Sequence, residues 1–206
     1  MADKLKIWNL SLANIQETDF ISDVDEDSQE ANVIRVYYDE VRKAALKRHD
    51  WNFARKRVLL AQTANDPAFP WAFEYGYPTD CIQARSIAKG SPRFPEIPFE
   101  TSTQGNQRVI LTNQPEACLV YTFDQLVEGH FSDSFVIYLS WEISAVIAMP
   151  ITNKRANKIA AVGQATVELL IAKSENMNEQ RQDRDDIKEN PFTLAHGSSS
   201  NRSRTW

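Results

Sequence analysis

The chain has 206 residues, 42% of them hydrophobic and 25% charged, with a formal net charge of −5. That composition fits a soluble globular protein long enough to bury a real core, and its acidic balance argues against wrapping nucleic acid through clustered cations. Six glycines and two cysteines leave little material for a glycine-rich nucleotide loop or a disulfide scaffold.

The opening MADKLKIWNLSL has no long apolar run of the kind a signal peptide carries. Leu5, Trp8, Leu12 and Ile15 recur at helical spacing, with Ile7 and Leu10 beside them, and predict a first helix. The link ETDFISDVDEDSQE leads to a longer helix, for which Asp27 and Glu30 form a capping-box-like start. Ile34, Tyr38, Val41 and Ala45 make its buried stripe. Acids Asp25, Glu26, Asp27 and Glu30 at its start and Arg42, Lys43, Lys47 and Arg48 at its end both complement the helix dipole.

Residues 52–124 read as β, with strands expected at 53–62, 71–77, 80–88, 97–103, 107–113 and 117–124. Gly105-Asn106 supplies the turn of a hairpin. Prolines at 67, 70, 78, 92, 95, 98 and 115 confine several segments to edges or ends. The expectation is a small, irregular antiparallel unit.

Helix returns at 132–189, opened by Ser132 and broken at Pro150. The run FVIYLSWEISAVIAM is shorter than the roughly 20 residues of a membrane span and carries Glu142 at its centre, so it reads as a buried core helix. Thr152 or Asn153 then caps a last helix, with Ala156, Ile159, Gly163, Thr166 and Leu170 on one close-packing face and Ala160 and Val167 alongside. Past Ile171 the apolar stripe fades, so the helix is expected to extend into solvent or a partner. The tail PFTLAHGSSSNRSRTW has no periodicity and no means of building a core. The chain therefore divides at 1–50, 51–130, 131–190 and 191–206. The fold class is α+β, a bundle of about four helices carrying an inserted antiparallel β domain and an extended C-terminal helix and tail.

The stretch RHDWNFARKRVLLAQ joins the helices to the β section. Strand alternation sets Arg55 and Arg57 on one face with Phe53 and Leu59. Neighbouring segments supply Glu74 and Asp80 rather than more cations, so the arginines are expected to make structural or subunit-bridging ion pairs. Trp51 and Phe53 are expected in the core of the junction.

Familiar chemical motifs fail one by one. Asp23, Asp25 and Asp27 match the first spacings of a calcium loop, but Ser28 stands where glycine is needed and Ile34 where a bidentate glutamate belongs. His49, His130 and His196 share no ligand spacing with each other or with a cysteine, so no metal or other cofactor is expected. No nucleophile elbow, phosphate loop or dinucleotide fingerprint is present. A Cys81 or Cys118 pairing with His130 remains an open catalytic arrangement, though Cys118 in EACLVYTF reads as a strand-core thiol. The two cysteines are expected reduced.

The order of the segments carries a resemblance. IWNLSLANI, the acidic link ending DSQEA, the helix closing on HDWNFARKRVLLA, the β stretch WAFEYGYPTDCIQARSI and the long run from SDSFVIYLSWEISAVIAMPIT succeed one another across about residues 5–180. The Tyr77-Pro78-Thr79-Asp80-Cys81 sequence and the run ending at Thr152 are the most specific parts. The series resembles the head-to-tail adaptors of tailed phages, the tail tubular protein A (gatekeeper) family of short-tailed podophages.

The resemblance implies a structural virion protein at the head–tail junction, made in the bacterial host cytoplasm, with no catalytic residue and no membrane partner. Such proteins form a ring of about twelve copies below the portal protein, head-to-tail around a closed axis. The ring receives the tail nozzle (tail tubular protein B-like) protein, completes the DNA channel and helps retain or release the genome. DNA passes without sequence-specific binding, and an acidic lumen would repel phosphate. The tail is the expected portal-docking segment, anchored by Phe192, Leu194, Arg202, Arg204 and Trp206. Loops 63–70 and 89–96 are expected to touch the nozzle. The alternative reading is a small hydrolase or nucleic-acid-processing enzyme without a recognisable motif.

Overall fold

A computed structural model describes residues 3–88 and 95–179. Helix α1 (Lys4–Asn14) opens on Asp3, whose Oδ1 accepts the Lys6 N–H at 2.7 Å. Helix α2 (Gln29–Lys47) is capped by Ser28, not by Asp27: the Ser28 hydroxyl accepts from the Ala31 amide at 3.3 Å. Asp27 sits one residue too early to reach that amide and accepts from the Asn32 side chain instead. Ile34, Tyr38 and Ala45 are buried as the stripe predicts, and Arg42 joins them.

Helix α3 (Asp133–Thr152) is capped by Ser132, whose Oγ accepts the Phe135 N–H. The break expected at Pro150 does not occur there. In the last turn proline removes one N–H and little else, and the helix runs on to Thr152, whose hydroxyl donates to the Ala148 carbonyl at 2.6 Å. Asn153, at φ 51°, ends it in the left-handed region that asparagine tolerates. Asn153 therefore closes α3 and does not open α4 (Arg155–Glu179). By length and hydropathy α3 matches a membrane span, with 56% of its most apolar window buried inside the protein. In this fold it is the central helix on which α1, α2 and α4 all pack.

All six expected strands form, each shorter than its sequence signal. They are β1 (Arg55–Leu59), β2 (Phe73–Gly76), β3 (Cys81–Ile87), β4 (Phe99–Gln104), β5 (Gln107–Thr112) and β6 (Cys118–Phe123). They divide into two antiparallel sheets of order β1-β6-β3 and β2-β5-β4. Gly105, at φ 60°, takes the first central position of the two-residue β4–β5 turn, where a residue with a side chain would be strained. The sheets share one core built from Leu60, Tyr75, Ile87, Ile110, Leu119 and Tyr121. The helices enclose a separate, larger one around Trp8, Leu12, Ile34, Trp51, Phe135 and Ile143. Cys81 and Cys118 stand at opposite ends of the β3–β6 ladder, about 15 Å or more apart at strand rise, and both are free. The whole is α+β: four helices carrying a β unit of two small sheets.

Candidate interaction surface

Residues 48–62 form the joint, and its side chains from His49 to Lys56 are engaged with the rest of the chain. Trp51 is fully buried, donates Nε1–H to the Ala45 carbonyl at 3.1 Å and packs edge-on against Phe135. Asn52–Ala54 make one 3₁₀ turn before β1 begins. Arg55 grips Asp50 with a fork, Nε to Oδ1 at 3.0 Å and Nη2 to Oδ2 at 2.7 Å. Arg57 is exposed and has no ion pair among the described residues. Lys56, between them, is the residue that reaches across the sheet, to Asp80 at 2.7 Å. The Tyr121 hydroxyl donates to the other Asp80 oxygen at 2.9 Å. Burial raises the Asp80 carboxyl, and the Lys56 and Tyr121 hydrogen bonds outweigh it, leaving the group below its ordinary value.

Arg42, expected only as a cation complementing the α2 dipole, and two residues that the sequence did not single out, Arg85 and Asn176, complete the joint. Arg85, from β3, spans the end of α2: Nε donates to Thr122 Oγ1 and Nη2 to the Leu46, Lys47 and His49 carbonyls. A cation thus satisfies carbonyls that a helix end leaves unpaired. Arg42 is 1% exposed and reaches Asp124 and the Gln125 carbonyl just past the end of β6. Asn176 ties α4 to the chain turn: its Oδ1 accepts the Asn52 N–H at 2.9 Å, and its Nδ2 donates to the Asp50 carbonyl at 3.1 Å. The same Nδ2 faces His49 Nε2 at 3.1 Å, so that nitrogen is the acceptor. Burial, with Lys173 adding to it, pushes the His49 ring below its ordinary value. Of the three, Arg42 had a readable signal, since it falls four residues after Tyr38 on the buried stripe.

Among the described residues, no group of three His, Cys, Asp or Glu side chains is placed to hold a metal ion. Cys81 is buried, and burial pushes its thiol up, away from the thiolate a nucleophile needs. His130 Nδ1 meets Gln125 Nε2 at 3.1 Å, and no contact joins it to either cysteine among the described residues. Glu74 is buried with Oε1 accepting from Thr63 and Asn65 and Oε2 without a hydrogen-bond partner among the described residues. A cleft of about 420 Å³ lies between Tyr77, Pro78, Cys81 and Arg108, with the Arg108 guanidinium 3.9 Å from the Tyr77 ring centroid.

The outer face of α4 is the most distinctive surface. The helix packs on α3 through Ala161, Ala165, Ala172 and Asn176, which are buried. The face expected to pack closely points the other way. Ile159, Gly163, Thr166 and Leu170 face solvent, Ile159 at 63% and Leu170 at 64% exposure, with Val162, Val167, Ile171 and Met177 around them. The sequence carries two apolar stripes on one helix, and spacing alone does not say which one the molecule buries. Nor does α4 leave the body past Ile171, because Ala172 and Asn176 hold it there. Those six large side chains together present on the order of 600 Å² of apolar surface, the upper end for a lone chain's largest patch. Between Ile159 and Ala172 only Glu168 is charged.

Phe192, Leu194, Arg202, Arg204 and Trp206 lie outside the described residues, as do 89–94 of the second expected contact loop. In the first loop, Phe69 stands 98% exposed. Comparison with protein-family models and with curated proteins finds no match.

Proposed function

We propose that this protein is a non-enzymatic structural subunit, an adaptor that closes head-to-tail into a ring of about twelve copies between a portal and a tail nozzle protein. The observation that carries the reading is the outer face of α4: a long, nearly uncharged apolar stripe on a helix already anchored by its opposite side. Interface cores are depleted of charge in this way. A face on the order of 600 Å² approaches the roughly 800 Å² per partner of a specific protein interface. The joint supports the same role. Arg42 and Arg85 tie α2 to the β unit, and Arg55 and Asn176 fix the turn between them, which suits a rigid ring element that transmits load. The resemblance of its segment order to that of the gatekeeper adaptors is the ground for naming the portal and nozzle as partners.

Light scattering and negative-stain imaging of the full chain, alone and coexpressed with the portal protein of the same phage, test the reading. A ring of about twelve copies, alone or on the portal, is the expected result. A chain that stays monomeric or dimeric in both settings overturns it and makes a screen for metal-dependent hydrolysis the next experiment.

A further inference from the structure

A head-to-tail ring needs two different surfaces on each copy, and the α4 face is only one of them; assigning the second rests on the ring reading. Both α2 and α4 end at the joint, where Asn176 binds Asp50, and Trp51 just past α2 packs on Phe135 in the first turn of α3. Both helices therefore begin at the opposite end of the bundle. There α4 carries Arg155 and Lys158, with Lys154 just before it, all exposed. Its first turn is tied to the end of α1, Asn157 Nδ2 donating to the Ile15 carbonyl at 2.8 Å. The acidic link starts just after Ile15, and its Asp19, Asp23 and Asp25 are exposed as well. None of these three cations or three acids forms an ion pair among the described residues.

Beside the acids lies a groove of about 430 Å³ lined by Lys6, Asn9, Leu10, Ala13 and Phe20. It runs along the side of α1 that faces away from buried Ile7, Trp8 and Leu12, and Phe20 at its edge is 55% exposed. One surface is thus apolar with cations at its flank, and the other is apolar with Lys6 in its lining and the acids Asp19 and Asp23 at its flank. Rotation about a ring axis keeps every residue at its own height, so with the helices along that axis the two charge groups of neighbouring copies come level.

We infer that the occupant of the groove is a second copy of this chain: Arg155, Lys158, Ile159 and Val162 of one copy seat against Leu10, Ala13 and Phe20 of the next. Arg155 and Lys158 then face Asp19 and Asp23. Complementary charge at the rim fixes orientation and excludes the reverse docking, while the apolar centre supplies affinity. The acids of the link are, on this assignment, interface charges and not lumen charges.

The test has two arms. In the otherwise native full chain, Arg155→Glu with Lys158→Glu is expected to raise the concentration needed for assembly roughly tenfold. Combining it with Asp19→Lys and Asp23→Lys restores assembly. In a chain with Cys81→Ser and Cys118→Ser, Ala13→Cys and Val162→Cys versions are made separately, and a disulfide-linked dimer is expected only when the two are mixed. Rings that form normally despite the charge reversal, with no mixed disulfide, overturn this interface and leave the ring standing. Failure of the wild-type chain to assemble alone or on its portal overturns both.

Discussion

Arg42 gives the sharpest test of how the helices and the β unit are joined. Its side chain is 2% exposed, against 25% for Asp124, to which it donates, and it also holds the Gln125 carbonyl. Arg42→Ala strands a three-quarters buried carboxylate, orphans a carbonyl and opens a cavity. Breaking a buried pair costs about 3–5 kcal/mol. Asp124 can regain some water, which argues for the lower end, and the lost carbonyl bond adds about 1 kcal/mol. The expected loss is therefore about 4 kcal/mol, a large part of a typical total stability of roughly 10 kcal/mol. It corresponds to a fall in Tm of about 10 °C for a chain this long. Asp39, the other carboxylate near Arg42, is 66% exposed at 3.7 Å, so Asp39→Asn should cost less than about 0.5 kcal/mol. Urea unfolding monitored by tryptophan fluorescence measures both. Adding Asp124→Leu to Arg42→Met should recover part of the loss, because no unpaired charge then remains. A cost under about 1 kcal/mol for Arg42→Ala, the range of an ordinary surface change, would refute the reasoning.

Arg85→Ala should cost about 2 kcal/mol by leaving the α2 carbonyls unpaired, and Arg85→Lys should recover little, since one ammonium cannot replace the fork; the same unfolding curves read this. Ser132→Ala removes the α3 cap and should cost about 1 kcal/mol, seen as a lower urea midpoint with an unchanged slope. His49 is held below its ordinary value, 6.5, so the unfolded chain binds the proton more tightly. Stability should therefore fall as pH drops through that value toward the folded one and level off below it. His49→Gln should flatten that part of the pH profile of the urea midpoint, and an unchanged slope would mean that another group sets it.

Local patterns in this chain were readable where one side chain or one period decides. Ser132 as a cap, the Gly105 turn and the stripe of Ile34, Tyr38 and Ala45 come from short-range chemistry, and so does the position of each strand. Pro150 was misleading because a proline in the last turn costs a helix one hydrogen bond, not its continuity. Asp27 was misleading because the cap depends on reach to the right amide, which Ser28 has. Arg55 and Asp50 are five residues apart, close enough for their pairing to be local. Arg57, two residues on in the same strand, has no described carboxylate opposite it.

The division of α4 into a buried and an exposed face shows the limit. Ala161, Ala165 and Ala172 form one stripe and Ile159, Val162 and Leu170 another, and hydrophobicity favours burying the larger side chains. The molecule buries the alanines, since small residues let α4 lie close along α3. By itself the sequence determined the element types, their order, the α+β class and the absence of familiar catalytic motifs. All of these are set by neighbours along the chain. Only the tertiary structure decided that six strands split into two sheets, that Arg42, Arg85 and Asn176 lock the joint, and which face of α4 is left exposed. Each of these depends on residues distant in sequence, Arg42 with Asp124 or Asn52 with Asn176, and no local periodicity records such a meeting.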